Sequence, residues 1–174
     1  MATVKKSVGS AGRSGLGVPR PGRPVAGGAK AAAGSAGYSG TPLWKKLGIR
    51  DDQLTWRLKM PSSVADEIAH GAPEPKFLKR PAAGLDMAHL FVTKKQELAE
   101  HLRFLREVLA QDGVVWVSWP KKIVPKNVAA IATDITEDGV REVCLPMGFV
   151  DVKVCEVDAV WSGLKLVIRK TERK

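Results

Sequence analysis

An α/β fold, a three-layer sandwich around a mixed, mostly parallel sheet, is what three features of this 174-residue chain predict. Short apolar runs with the period of strands alternate with segments of helical period, the pattern of parallel strands joined by right-handed crossovers. One central run, V-V-W-V-S-W at 114–119, is apolar at nearly every position, as a strand covered on both faces must be. Two β runs close the chain with no helix between them, so the sheet is expected to end in an antiparallel hairpin.

The elements follow in order from Tyr38. In T-P-L-W-K-K-L-G, Thr41 is placed to cap a short helix, Pro42 suits its first position and Gly48 its left-handed end. Leu54, Trp56 and Leu58 alternate with Thr55, Arg57 and Lys59, which predicts a half-buried strand ended by Pro61. Ser63 and Asp66 resemble a capping box opening a helix that runs to about His70 and stops at Gly71. Three prolines and no periodicity make 72–84 a loop, and Leu85 to Val92 reads as a buried strand.

The clearest helix comes next. Thr93 and Gln96 suggest a capping box, Leu98, Leu102, Leu105 and Leu109 share one face, and Gly113 is expected just beyond the last turn. After the central strand, Asp134 with Glu137 is expected to cap a helix that Pro146 and Gly148 end. The hairpin strands are read as Phe149 to Val160 and Leu164 to Arg169, turning at Trp161-Ser162-Gly163.

Charge divides the chain differently. The net charge is +10, yet residues 1 to 40 carry six basic residues, no acidic one and ten of the 17 glycines. Removing them leaves 22 basic against 18 acidic residues in the other 134. Residues 1–37 therefore read as a basic Gly/Ala/Pro-rich tail too poor in apolar side chains to offset the entropy of ordering, and 38–174 as one domain. The tail reads either as a plain linker or as an arm lying along phosphates.

No run is apolar enough for a membrane span or a secretory signal, so no membrane partner and a cytoplasmic location are expected. Cys144 and Cys155 form no CxxC pair and are expected as two reduced, partly buried thiols. His70, His89 and His101 lack the spacing of metal ligands, so no metal is expected. His89, inside an apolar strand, reads as a hydrogen-bonded core histidine. Ser162 lacks the flanking glycines of a nucleophile elbow and reads as a turn residue, so no catalytic residue is assigned.

The most informative segment is the loop after the central strand. Ligands of α/β sheets bind beyond the carboxyl ends of parallel strands, and there the chain places Lys121, Lys122 and Lys126. They are expected to face a helix start near Thr133 and Asp134, with Trp119 free to stack on a base or cover the lysine stems. A solvated loop that keeps the sheet end soluble is the plainer reading.

The closing order of strand, amphipathic helix, W-P-terminated strand, helix and hairpin resembles the C-terminal half of class I S-adenosylmethionine-dependent methyltransferases. From Tyr38 the chain also resembles a bacterial family of unknown function, on Y-S-G-T-P-L-x-K-K-L-G-I, L-F-V-T, W-V-S-W-P-K-K, T-D-I-T-E-D and W-S-G-L. The resemblance implies a truncated, Rossmann-like methyltransferase fold and carries no activity with it. Against a methyl-donor site, the first strand runs into Met60-Pro61-Ser62-Ser63 without a glycine, and no second strand ends in an acidic residue. No cofactor is therefore expected.

Three functions stay open: a non-catalytic module binding a nucleic acid or another polyanion through the basic loop, an enzyme binding a nucleotide or S-adenosylmethionine in the same crevice, and a scaffold docking a protein partner on exposed Trp44 or Trp161.

Overall fold

The computed structural model describes residues 40–174, so the tail assigned to 1–37, and Tyr38, lie outside the described residues. The chain forms α1 (Leu43–Leu47), β1 (Leu54–Leu58), α2 (Ser62–Ala69), β2 (Lys76–Phe77), β3 (Leu85–Phe91) and α3 (Lys95–Val108). It continues with β4 (Leu109–Pro120), α4 (Glu137–Cys144), β5 (Phe149–Glu156) and β6 (Trp161–Ile168). The six strands form one sheet in the order β2-β1-β3-β4-β6-β5. β1 pairs in parallel with both β2 and β3, and β3 with β4. β6 inserts antiparallel between β4 and β5, which gives the mixed sheet and the C-terminal hairpin.

Alternation along the strands builds two cores. Met87 and Phe91 of β3 and Trp116 of β4 pack with Leu43 and Leu47 of α1 and Val64 and Ile68 of α2. Ala88, Leu90, Val115 and Val117 point the other way, onto Leu98, Leu102 and Leu105 of α3 and Val140 and Cys144 of α4. A sheet buried on both faces accounts for the nearly unbroken apolar runs of β3 and β4. Each leucine of the α3 stripe is fully buried and contributes about 1.5–3 kcal/mol of apolar transfer. Trp116 also donates its indole N–H to the Leu47 carbonyl at 2.9 Å, which fixes α1 against the sheet.

Several ends fall elsewhere than the local sequence suggests. The α1 N-cap position is Pro42, not Thr41, while Gly48 takes the expected left-handed conformation at φ 77°. Ser63 lies inside α2, whose first residue is Ser62, so the Ser63/Asp66 box is absent. The 72–84 loop holds the two-residue strand β2, too short to show a period. Gly113 is a strand residue, not a helix end. A Cβ there would lie within 3.0 Å of Leu109 Cγ and of the Ala110 and Leu85 carbonyl oxygens, so close packing at the bulged start of β4 is what requires glycine. The hairpin turns earlier than predicted, between Glu156 and Trp161 instead of at 161–163. Asp158 Oδ1 accepts from the amides of Val160 and Trp161, both at 2.7 Å, which places Ser162 within β6.

The largest correction concerns two helix caps. No side chain of Thr93 caps α3, and Asp134 does not open α4. Asp134 Oδ1 instead accepts from the Lys95 amide at 2.7 Å, capping α3 from a distant loop. Thr136 takes the α4 N-cap and accepts from Gly139 N at 3.0 Å. Both arrangements satisfy amides that a helix start leaves without an internal partner.

Candidate functional site

The four parallel strands deliver their carboxyl ends to one edge of the sheet, and two regions there could meet a ligand. The first is the switch point between β1 and β3, from which the chain winds outward in opposite directions through α2 to β2 and through α3 to β4. The second is the 121–134 loop that leaves β4.

At the switch point, β1 passes through Lys59 directly into Pro61 and α2. Lys59 is left-handed at φ 52°, a conformation that crowds the Cβ of any residue but glycine. Its ammonium reaches Glu97 in the first turn of α3 at 2.5 Å, so an ion pair bridges the units built on β1 and β3. The next strand, β2, ends at Phe77 and is followed by Leu78. This turn has a lysine side chain where a ligand's phosphate or carboxylate would need bare backbone, and no acid beyond β2 to take ribose hydroxyls.

The β4 loop is tied down at both ends and exposed between them. Lys121 pairs with the Glu156 carboxylate and donates to the Asp158 carbonyl at 2.7 Å, while its amide donates to the Val160 carbonyl at 2.7 Å. At the far end the Thr133 hydroxyl donates to the Thr93 carbonyl at 2.9 Å and accepts from Ile135 N at 3.0 Å. The Asp134 amide also donates to the Thr93 carbonyl, at 3.1 Å. Between these anchors Lys122 and Lys126 are exposed and form no ion pair among the described residues. Ile123, beside Lys122, is 89% exposed.

The five residues assigned to an anion site therefore separate. Lys122 and Lys126 stand at the surface. Lys121 is held by Glu156, and Thr133 spends both functions of its hydroxyl on the backbone. Trp119 is only 7% exposed and packs in the core with Val115, Val117 and Leu164, so it is not available to stack on a base. Nor does the α4 start offer an anion site, because Glu137 and Asp138 already fill its first turn and are paired with Arg141. Trp161, expected as an exposed docking residue, is 9% exposed and meets the Phe91 ring edge-on at 5.0 Å. Trp44 is partly buried, with the Lys45 ammonium 5.5 Å from its ring centre.

The titratable groups of the interior serve the fold. His89 Nε2 and Ser118 Oγ lie 2.8 Å apart and both residues are buried, as a core histidine requires. Burial, with Arg57 adding repulsion, pushes the His89 pKa down to about 3, so the ring is neutral at physiological pH. Cys144 and Cys155 are free thiols in the two different cores. Burial pushes the Cys144 thiol up to about 11 and raises Cys155, so neither is an activated nucleophile. Among the described residues no cluster of three metal-ligating side chains occurs, and no helix is long and apolar enough to cross a membrane.

Two ion pairs were not legible in the sequence. Lys59 with Glu97 and Lys121 with Glu156 join charges 38 and 35 residues apart, a separation that carries no local period.

Solved structures place this architecture among methyltransferase folds. The domain is similar to a SAM-dependent methyltransferase from Aquifex aeolicus, with 14% identity over 71% of this chain and 86% of that one, at a TM-score of 0.51. It is similar to the pyocyanin biosynthetic protein PhzM, with 12% identity over 68% of this chain and 51% of that one, TM-score 0.52. It is also similar to the mitomycin 7-O-methyltransferase MmcR, with 9% identity over 73% and 53%, TM-score 0.51. The chain spans about half the length of PhzM and MmcR, and likewise 47% of LepI. No protein-family model and no curated protein matches the chain. At these identities the likeness shows a methyltransferase-like fold and nothing of activity. The methyl donor that this fold implies does not fit the switch-point residues, because the β1–α2 turn has no glycine and its left-handed position is taken by Lys59, which pairs with Glu97.

Proposed function

We propose that this methyltransferase-like domain is a non-catalytic module that binds an anionic polymer, nucleic acid in the first place, through Lys122 and Lys126. One observation carries the reading: the β4 loop is anchored by Lys121 and Asp134 yet leaves these two cations without a carboxylate partner among the described residues, at the carboxyl edge of the sheet. Unpaired lysines on a tethered loop neutralise phosphates at little ordering cost and release condensed counterions. Ile123 supplies an apolar contact beside them that a bare counterion cannot use. The six cations of residues 1–40 add to the same long-range attraction.

The switch-point ion pair argues against the rival reading, an enzyme using S-adenosylmethionine or a nucleotide. Both readings are tested on the full chain in parallel. Fluorescence anisotropy with a labelled 20-base-pair DNA at low salt is expected to show saturable binding that weakens steeply with added salt. Thermal shift with millimolar S-adenosylmethionine or ATP is expected to show no stabilisation. A ligand at 100 times its Kd would add about 2.7 kcal/mol, so a clear upward shift would favour the enzyme instead. Absence of DNA binding at low salt would remove the proposal.

A further inference from the structure

Arg57 is a half-buried cation without a counter-charge among the described residues. It lies in β1, opposite His89 of β3, on the sheet face that carries α1 and α2. Its guanidinium carbon sits 4.1 Å from the centre of the Phe77 ring, the end of edge strand β2. Burial lowers its pKa and no carboxylate counteracts that effect. Such a charge ordinarily carries a partner, since removing a guanidinium from water without one is costly.

The space beside it is a cavity of about 460 Å³. Ile49, Ile68, Pro73 and Phe77 give it apolar walls, and among the described residues Arg57 is its one cation and Glu74 its one acid. It lies by the last residues of α2, at the far end of that helix from the β1–α2 turn, and is separate from both the switch point and the β4 loop. Its size and its mostly apolar lining with few polar groups are those of a small-molecule site.

We infer that this cavity binds a small organic monocarboxylate, with the acid gripped by Arg57 and the apolar body resting on Phe77 and Pro73. A guanidinium presents two parallel N–H groups that match one carboxylate, and its face already rests against an aromatic ring. A phosphate dianion fits worse. Glu74 and the carbonyl end of α2 both add negative potential, which penalises two charges more than one. Phe77 is 55% exposed, so part of its ring surface is open to a ligand.

The test is NMR titration of the isotope-labelled full chain with phenylacetate as the probe. Saturable shifts are expected at the Ile49 and Ile68 methyls and the Arg57 side-chain N–H, complete by about 20 mM. Phenylacetamide, the neutral isostere, is expected to bind about tenfold more weakly, and inorganic phosphate to leave these signals in place. Arg57→Gln is expected to weaken phenylacetate about tenfold and to leave phenylacetamide unchanged. Phe77→Ala alters an exposed side chain, keeps the fold testable if Arg57→Gln does not fold, and is expected to weaken both probes. Failure of phenylacetate to saturate these signals overturns the inference, as does phosphate moving them equally or a folded Arg57→Gln variant binding phenylacetate as tightly as the wild type. None of these results depends on the DNA titration.

Discussion

The switch point and the β4 loop lie on the same edge of one sheet and handle their lysines in opposite ways. At the switch point Lys59 pairs at the surface with Glu97, so its charge is satisfied by the protein's own ion pair at the edge where α/β sheets ordinarily receive a ligand. At the β4 loop only the first lysine is used internally. Lys121 locks to Glu156, and the chain then presents Lys122 and Lys126 to solvent. A sheet edge is therefore not a site by position alone. What counts is whether its charges are already satisfied within the molecule.

The sharpest way to separate structural from ligand-facing residues at the loop is Trp119→Ala. Emptying a buried tryptophan site costs about 3–5 kcal/mol, read as a lower midpoint in urea unfolding. DNA affinity per folded molecule should stay unchanged. A variant of wild-type stability that loses DNA binding would return Trp119 to the interface.

A second effect sets the core beneath the two regions apart from both. His89 has its folded pKa depressed to about 3, below its ordinary value of 6.5, so the unfolded chain takes up the proton first. The contribution is fully present above pH 6.5, is lost progressively as pH falls towards 3, and levels off below. Linkage puts the loss at pH 5 at about 2 kcal/mol. Urea unfolding at pH 7 and pH 5 should show it, and His89→Gln should remove most of it. An equal pH dependence in both proteins would contradict a neutral buried ring.

The smallest effect tests the switch-point ion pair. Glu97→Gln breaks a largely exposed ion pair and should cost no more than about 1 kcal/mol. Lys59→Gly removes the same pair but relaxes the left-handed backbone, worth about 1 kcal/mol in the other direction, so its stability should remain within about 0.5 kcal/mol of wild type. If Lys59→Gly instead gains a thermal shift with S-adenosylmethionine, the lysine alone was excluding the donor and the crevice beneath it is intact.

Period and composition made the frame of the fold legible. The leucine stripe of α3 and the doubly apolar run at 114–119 each identify their element and the side it must bury. Helix ends were legible only where a single residue decides them, as Gly48 does through its left-handed φ. Asp134 shows why the others were not. Its sequence neighbours suggest a cap for α4, but the amide it satisfies belongs to Lys95, which only the folded sheet edge brings near. The site divides by the same rule. Exposed lysines after a buried strand could be read from the chain, whereas the capture of Lys121 by Glu156 and of Lys59 by Glu97 depends on long-range pairing. Two-residue β2, and with it the stacking of Arg57 on Phe77, lacked any period to betray it.

The most direct test of the contrast between the two regions is the salt dependence of DNA binding for wild type, Lys122→Gln/Lys126→Gln and Lys59→Gln, measured by anisotropy on full chains. Each phosphate left without its lysine should reduce the slope of log K against log salt by about 0.9. The loop double variant should therefore lower the slope by about 1.8, and Lys59→Gln should keep the wild-type value. An unchanged slope in the double variant, or an equal reduction in Lys59→Gln, would contradict the account.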